Sequence, residues 1–529
     1  MYVTCVLPVT QPFFTIPESP LPLYVPACWL ETKIAGVACK FRRIEWILMR
    51  YQCLRSFLLA LSLFSAAASA FAQTGSLTAT PSSGPVQAQG AFQGSVLSGP
   101  PSSGPLSLSL DEALKRGLQY NLGAINSQQS LRQAHGESIV ALSPLLPNLS
   151  GYLREVDQQI DLAAFGFKFR VPPSLGFSIP TIVGPFNYFD LRSGLTQRLA
   201  DIQALRSYQS SRESQRAADF SVQDARELVV YVVTAGYLQV IAESARVDSA
   251  KVQVESAQAI YQQALDRFTS GLSARIDMTR SQVELQTQQQ RLTSEQAAYA
   301  KDKIALARLI GLSSGQEITL TDALPYAPLE NLTLEQAIDL AARNRSDLKA
   351  AEAQVHAAEF SRKAAVAERF PTLDFSADYG VIGINPAHSH GTFSVEGQLR
   401  FPIWTGGSTR GDIEQADAVL QQRRAEYDDL RARVEADVRT AFLDLTAAAE
   451  QVRVAQSRRA LAQDELQQSR DRFASGVADT VEVVQAQEVV SSAEQDYIAS
   501  LNAHNLAKAS VARAAGQAEK IMRDLLRSH

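Results

Sequence analysis

Two related stretches, DRFTSGLSARIDMTRSQ at residues 266–282 and DRFASGVADTVEVVQAQ at residues 471–487, decide the architecture of this chain. Each carries a Ser-Gly pair inside a long segment rich in Ala, Gln, Arg, Glu and Leu, and no proline occurs between Pro185 and Pro325 or after Pro402. Such a composition favours long helices, and a glycine just past a helix end allows the chain to reverse. The two stretches therefore predict two long helical hairpins.

The two hairpins belong to a tandem repeat. The stretches align at an offset of 205 residues, and an earlier part aligns at an offset of 224, where LDEAL from Leu110 matches LEQAI from Leu334. The predicted divisions are repeat 1 over 108–315, an inter-repeat linker over 316–332, repeat 2 over 333–516 and a C-terminal tail over 517–529.

Each repeat predicts the same order of elements: a helix, two strands, a very long helix, a tight turn and a return helix. The predicted helices are Asp111–Ser143, Ile202–Phe268 and Ile276–Ile310 in repeat 1, and Leu334–Arg369, Ile413–Phe473 and Val481–Ala515 in repeat 2. At 1.5 Å per residue a helix of about 60 residues spans about 90 Å, and the two shorter helices together match the long one. We expect the two shorter helices to lie end to end beside each long helix.

The predicted strands alternate between apolar and polar residues. In repeat 2, Leu373, Phe375 and Tyr379 share one face, while Asp374 and Asp378 share the other. A period of two is typical of a strand with one face in apolar surroundings and the other in water. The predicted strands cover about 148–159, 186–199, 372–382 and 393–404.

The N-terminal part reads as an export signal behind an extension. Met49–Ala72 has a basic start, an apolar segment too short to span a membrane comfortably, and a small-residue cleavage site. We interpret residues 1–48 as an upstream extension and residues 73–107, which are rich in Gly, Ser and Pro, as a disordered leader. All four cysteines lie within residues 1–72, so the predicted exported chain contains none.

Composition narrows the possible functions. The chain has 529 residues, 46% of them apolar, with a mean hydropathy of −0.09 and a formal net charge of −5. The apolar content supports a large core, and the near balance of charge argues against a nucleic-acid partner. The sequence contains no Walker loop, G-x-S-x-G or H-E-x-x-H motif, so we expect no enzymatic activity, no cofactor and no metal centre.

Strands with one apolar face, together with an export signal, predict an outer-membrane barrel. In lipid every backbone N–H and C=O group needs a partner, so a barrel must close, and four strands cannot close alone. Two chains would supply eight strands, and three chains would supply twelve. A sheet in a soluble protein is the alternative that the strands alone leave open.

The export signal, the two repeats, the strand pairs between helices and the hairpin stretches together resemble the TolC-like outer-membrane efflux proteins, over about residues 108–516. The resemblance implies an α+β membrane protein, a homotrimer in which four transmembrane β-strands per chain complete a 12-stranded barrel in the outer-membrane lipid. Below the barrel it implies a long α-helical coiled-coil tunnel in the periplasm.

The same resemblance implies an exit duct for efflux or type I secretion that has no chemistry of its own. Its partners would be a periplasmic adaptor protein and an inner-membrane pump of the RND, ABC or MFS type. An envelope coiled-coil protein with a structural role and no transport activity is the alternative.

The resemblance also assigns a role to the two hairpin turns, because in this family they are periplasmic tips that contact the adaptor. The matching residues are Gly271, Leu272, Ser273 and Ala274 in repeat 1, and Gly476, Val477, Ala478 and Asp479 in repeat 2. The alternative is that the two glycines only permit the reversal of the chain.

The family often narrows its periplasmic mouth with two acidic residues just after the second tip. Glu482 matches the first of these positions, but Gln485 occupies the second, and Ala478 stands where the family can carry a locking arginine. Three copies of Glu482 would form a negative ring that favours cations. Arg275 and Asp277, near the first tip, are candidates for other polar links, and a solvated helix charge is the alternative for each.

Alternation places a further set of charged residues on the predicted lumen face of the barrel. They are Asp190, Arg192, Asp374, Asp378, Glu396 and Arg400. The loop over 160–185, with Phe165, Phe167 and Phe169, is expected outside the cell. No binding motif accompanies these residues, so the sequence predicts no particular substrate.

Overall fold

The computed structural model describes residues 90–99, 104–167, 180–322 and 332–519. Within these ranges the chain forms eight α-helices, which are α1 (Leu110–Tyr120), α2 (Leu122–Leu142), α3 (Ile202–Thr269), α4 (Arg275–Leu309), α5 (Leu334–Asn344), α6 (Ser346–Ala367), α7 (Ser408–Ala474) and α8 (Thr480–Ala514). It also forms six strands, which are β1 (Leu106–Leu108), β2 (Asn148–Asp161), β3 (Ile182–Ala200), β4 (Ile318–Leu320), β5 (Thr372–Gly383) and β6 (Ser389–Arg400). The predicted upstream extension and signal peptide lie outside the described residues.

The long helices α3 and α7 organise both repeats. They contain 68 and 67 residues, so each spans about 100 Å. Helix α3 packs beside α2 and α4, and α7 packs beside α6 and α8, which confirms the predicted arrangement of shorter helices along each long one. The lateral order is α2–α3–α6–α7 in the half next to the strands and α4–α3–α8–α7 in the half next to the turns. Helix α7 therefore lies at one edge of the chain in both halves.

The first helix of each repeat is broken, although the sequence predicts one continuous helix. The breaks fall at Asn121 and Arg345, whose ψ angles are 132° and 120°. The Nδ2 group of buried Asn121 donates to the carbonyl of Phe92 at 2.8 Å, and its Oδ1 accepts the N–H of Gly123 at 2.9 Å. Buried Arg345 forms an ion pair with Asp437 of α7 at 3.1 Å. A polar side chain with partners outside the helix breaks it at the same place in both repeats.

The prediction of a disordered leader is wrong for its described part, residues 90–99 and 104–107. Strand β1 pairs in parallel with β4, and the N–H of Val96 donates to the carbonyl of Tyr120 at 2.9 Å. Phe92 and Leu106 pack against the main core. Phe92 and Leu106 therefore contact apolar residues of repeat 1. The Gly/Ser-rich composition of the segment does not predict these contacts.

Strands β2, β3, β5 and β6 form one antiparallel sheet in that order. The observed strands lie close to the predicted ones, but β6 begins at Ser389 and ends at Arg400, earlier than predicted at both ends. Pro402 follows, and it cannot donate a hydrogen bond to a strand ladder. Along the chain, the four strands connect α2 to α3 and α6 to α7. The sheet thus lies at one end of these helices.

The predicted loop over 160–185 is shorter than expected because β2 continues to Asp161 and β3 begins at Ile182. Phe165 and Phe167 are exposed in the turn that follows β2. Residues 168–179, which include Phe169, lie outside the described residues.

The main core surrounds α3. Tyr237 is fully buried there, and its hydroxyl donates to the carboxylate of Asp322 at 2.7 Å, which also accepts the N–H of Leu110 at 3.0 Å. Among the described helices, only α3 contains a stretch apolar enough to cross a membrane, and 61% of that stretch is buried inside the chain. The apolar stretch of α3 is therefore part of the core. Asp322, in the inter-repeat linker, is held to α3 by the hydrogen bond from Tyr237.

Candidate functional site

The two hairpin turns share one hydrogen-bonded geometry. Gly271 and Gly476 have φ angles of 72° and 76°, in the left-handed region that favours glycine. In repeat 1 the N–H of Leu272 donates to the carbonyl of Arg267 at 2.8 Å, and that of Gly271 to the carbonyl of Phe268 at 3.0 Å. Repeat 2 forms both bonds at the equivalent positions. Each long helix therefore ends in a Schellman motif, which makes the reversal tight and well defined.

The residues predicted to contact an adaptor lie together at these turns. Leu272 and Val477 are 80% and 71% exposed, while Ser273 and Ala478 are half-buried. The carboxylate of Asp479 accepts the N–H of Glu482 at 3.1 Å and caps α8. Two exposed aliphatic side chains beside ordered backbone make a small apolar surface, so contact with an adaptor stays a prediction that the geometry allows.

The charge of Glu482 is paired. Its carboxylate lies 3.0 Å from Nε of Arg472 in the same hairpin, and its side chain is 38% exposed. An ion pair this exposed contributes little to stability, but it neutralises the carboxylate locally. The negative ring predicted for the mouth is therefore offset by an equal number of arginines.

A groove of about 390 Å³ runs between the first turns of α4 and α8, and Gln485 lines it. Most of the other lining side chains are apolar, but Glu284 adds a buried carboxylate. Burial raises the pKa of Glu284, while a hydrogen bond from Gln288 at 2.7 Å opposes that shift. Arg275 is exposed at the start of α4, and Asp277 pairs with Arg280 at 3.9 Å in its own hairpin.

One face of the four-stranded sheet is apolar and exposed. Strand register places on it Leu149, Leu153, Leu191, Tyr379, Phe393, Val395 and Leu399. Leu149, Phe393 and Val395 are 76%, 78% and 64% exposed in the single chain. A continuous apolar face on an antiparallel sheet matches the outward band of an outer-membrane barrel.

The opposite face carries all six residues predicted for the lumen, namely Asp190, Arg192, Asp374, Asp378, Glu396 and Arg400. Arg192 forms ion pairs with Asp378 and, at 3.4 Å, with Asp190, and its Nη2 donates to Thr392 at 3.0 Å. Asp190 is buried and also lies 3.9 Å from Arg154. Arginines and carboxylates therefore lie side by side on this face and partly neutralise one another. This favours a structural role for these side chains over a binding site for one kind of ion. Their position in a lumen stays a prediction.

Both lateral edges of the chain are open. Strands β2 and β6 each have one unpaired side among the described residues, and α7, the helix at the edge, exposes Leu443, Val454 and Leu461. Val454 and Leu461 line a second cavity of about 390 Å³ between α7 and α8. The edge with β2 and α4 belongs to repeat 1, and the edge with β6 and α7 belongs to repeat 2. Two copies would therefore meet through unlike edges.

Two further side chains at the turns, Arg267 and Arg472, are not among the predicted site residues. Nη2 of Arg267 donates to the carbonyl of Ala474 in repeat 2 at 2.9 Å, and its guanidinium lies 4.4 Å from the ring centroid of Phe473. Arg472 instead pairs with Glu482. The identical letters DRF in both repeats mark these positions, but identity alone does not show that the two arginines bind different partners.

Sequence comparison gives a family match over more than half of the chain. The profile of the family described as outer membrane efflux protein matches residues 178–312 and 337–517. The toluene efflux pump outer membrane protein TtgF of Pseudomonas putida is 27% identical over 253 residues, which are 46% of this chain and 48% of TtgF. The chain thus spans about half the length of this relative.

A longer alignment and a solved structure extend the comparison. The pyoverdine export outer membrane protein OpmQ of Pseudomonas putida is 25% identical over 370 residues, which are 69% of this chain and 75% of OpmQ. The CmeC outer membrane channel of Campylobacter jejuni superposes with a TM-score of 0.67 at 14% identity, covering 79% of this chain and 89% of CmeC. At that identity the superposition shows a shared fold.

Proposed function

Because the chain belongs to the outer membrane efflux protein family and is a protein of the outer membrane, we propose that it forms the exit duct of an efflux or secretion system. Substrates leave a periplasmic adaptor and an inner-membrane pump, pass through the duct and reach the exterior. The duct adds no chemistry to them, and the pump selects them.

The sheet is the observation that carries this proposal. It exposes an apolar face and a charge-matched face, and it connects directly to helices of about 100 Å. A coiled-coil protein with only a structural role would leave the apolar face of this sheet exposed to water, and that exposure is unfavourable in free energy. Hydrocarbon outside and water inside satisfy both faces at once.

The unlike edges support a ring of copies. Each copy offers β2 to the β6 of its neighbour, and closure leaves no backbone group of the sheet unpaired in lipid. Three copies bring the strand count to twelve, as the family resemblance implies. The exposed turns then gather at the far end of the helices, where an adaptor has access to them.

Planar-bilayer recording on the purified protein tests the proposal. We expect discrete conductance steps and an oligomer that runs at three times the chain mass on unboiled gels. Matched liposomes without protein are the control. An intact oligomer that shows no conducting state at any voltage would instead support the structural coiled-coil function.

Removing the partner of Glu482 is expected to change ion selectivity. In Arg472→Ala the carboxylate loses its ion pair, so the mouth becomes more negative and favours cations more strongly. We expect the cation-to-anion permeability ratio to rise roughly twofold to fivefold, as interactions of up to about 1 kcal/mol between exposed charges allow. Reversal potentials in a salt gradient measure the ratio.

Arg472→Ala combined with Glu482→Gln is the matched control, because it removes both charges and is expected to restore the original ratio. Arg458→Ala removes an exposed arginine of α7 that pairs with Asp496, far from the turn. If Arg458→Ala shifts the ratio as much as Arg472→Ala does, the effect is one of total charge and Glu482 does not set selectivity.

A further inference from the structure

We propose that the charged face of the sheet carries a binding site for small aromatic carboxylates, formed by Arg154 between the rings of Tyr152 and Tyr188. The charged face is the one that carries Asp190 and Arg192. The inference rests on the proposed duct function for its purpose, because substrates reach this face only if it lines the duct. Its geometry stands on contacts within one chain.

Strand register brings the three side chains together on this face. Arg154 is opposite Asp190, and Tyr152 is opposite Arg192, so both residues of β2 lie on the charged face. Tyr188 precedes Asp190 by two residues on β3, and the alternation of side chains puts it on the same face. The guanidinium of Arg154 lies 6.0 Å from the ring centroid of Tyr152 and 5.7 Å from that of Tyr188. One cation is therefore flanked by two aromatic rings.

The two arginines of this part of the sheet differ in how fully they are paired. Arg192 forms ion pairs with Asp378 and Asp190, and it also donates to Thr392 at 3.0 Å. The guanidinium of Arg154 lies 3.9 Å from Asp190 and forms no hydrogen bond with any other residue in the described part of the chain. The side chain of Arg154 is 55% exposed, against 17% for Arg192. Arg154 is therefore the arginine whose donors are available to a ligand.

Asp190 does not keep an anion away from Arg154. Its side chain is 4% exposed, and the hydroxyl of Tyr152 donates to its carboxylate at 3.3 Å. Because Arg154 and Arg192 both pair with this carboxylate, its negative charge is offset by two positive ones. An anion that arrives from water meets the exposed guanidinium before it meets the buried carboxylate.

The chemistry of the site selects a carboxylate joined to a flat ring. A guanidinium can donate two parallel hydrogen bonds to a carboxylate, which a single-atom anion cannot accept in the same way. Tyr152 is 46% exposed, and it offers a ring for offset stacking. Phe186, which lies on the same face beyond Tyr188, is 37% exposed and extends the aromatic surface. An open site of this kind holds a ligand weakly enough to release it, as passage through a duct requires.

Saturation-transfer NMR on the purified, detergent-solubilised protein tests the site with three small probes. Benzoate has both the ring and the charge, cyclohexanecarboxylate has the charge without the aromatic ring, and benzamide has the ring without the charge. We expect the dissociation constants of the last two to exceed that of benzoate roughly threefold to tenfold. Micelles without protein give the background signal. Equal binding of the three probes, or no transfer to benzoate, would overturn the site.

Two substitutions separate the parts of the site. Arg154→Gln is expected to raise the dissociation constant of benzoate roughly tenfold, because it removes the charged donor. Tyr188→Leu keeps an apolar side chain but removes one ring, and a roughly threefold rise is expected. In Arg154→Gln the preference for benzoate over benzamide is also expected to disappear. Benzoate binding that is unchanged in Arg154→Gln would reject the site.

Arg198→Gln is the matched control. Arg198 lies on the same face of β3, opposite Asp374, and its side chain is 51% exposed, close to that of Arg154. It contacts no aromatic ring in the part of the chain that the structure describes. We expect benzoate to bind this variant as it binds the original protein. Equal weakening in Arg154→Gln and Arg198→Gln would show that benzoate responds to the total charge of the face, and no separate site would remain.

Bilayer recording on the same preparation separates the site from the duct function. Benzoate binding that depends on Arg154, in a protein without any conducting state, would retain the site and reject the duct. Conductance steps in a protein that does not bind benzoate would retain the duct and reject the site.

Discussion

Replacing Val395 by arginine is expected to prevent the chain from assembling in the outer membrane. Val395 lies in the middle of β6 on the apolar face and is 64% exposed in the single chain. An arginine facing lipid near the bilayer midplane costs about 2–4 kcal/mol, and a ring of three copies would carry that cost three times. We expect loss of the heat-sensitive oligomer from outer-membrane fractions, measured on unboiled gels.

Ser394→Arg is the matched control for this experiment. Ser394 is the adjacent residue of β6, opposite Asp378 on the charged face, so an arginine there meets water and a carboxylate. Assembly is expected to proceed close to normal. Equal loss of oligomer in both variants would show that β6 does not have one lipid face and one water face.

Glutamate in place of Leu461 is expected to abolish the ring while leaving the single chain folded. Leu461 belongs to α7, the helix at the edge of the chain, is 68% exposed, and lines the cavity between α7 and α8. We expect a ring to bury that side chain against the neighbouring copy, and burial of a leucine contributes about 1.5–3 kcal/mol. A buried, unpaired carboxylate adds a further penalty at every junction. Light scattering in detergent measures the resulting mass.

Val252→Glu makes the same kind of change at a non-edge position. Val252 is 60% exposed on α3, which has α4 on one side and α8 on the other. The oligomer is expected to persist in this variant. Dissociation by Val252→Glu, or a stable trimer in Leu461→Glu, would place the contact between copies on another surface.

The long helices and the strands could be predicted from the sequence because both patterns are local. The absence of proline and the density of helix formers predict Ile202–Phe268, and α3 covers Ile202–Thr269. The period of two fixes which side chains share a face of the sheet, and the register of β5 and β6 follows it. Neither pattern depends on where distant parts of the chain lie.

The breaks in the first helices could not be predicted, because their causes are distant in sequence. Asn121 leaves the helix to bind the carbonyl of Phe92, and Arg345 pairs with Asp437 at 3.1 Å. Helix propensity depends only on residue type, so it does not predict a break at an asparagine or an arginine within a long amphipathic segment. The alignment of the two repeats places the two breaks at equivalent positions, but an asparagine in one repeat and an arginine in the other give no common signal of a break.

The positions of the two hairpin turns could be predicted from the sequence, but the contacts that their side chains make could not. Gly271 and Gly476 indicate the two turns in the sequence. The sequence does not show that Arg472 pairs with Glu482 and neutralises its carboxylate. Buried glutamines such as Gln253 and Gln487 look like ordinary surface residues of a helix. Their hydrogen bond joins residues 234 positions apart, so only the assembled helices reveal it.

The unlike edges have a genetic consequence. A copy with Leu461→Glu keeps an intact repeat 1 edge, so it can still join an original copy on one side while leaving the other side open. In a cell that makes both forms equally, only about one in eight random rings of three would contain no altered copy. If three copies form the ring, we therefore expect a mutation on one edge to be dominant over the original gene, and a mutation that stops the chain from folding to be recessive.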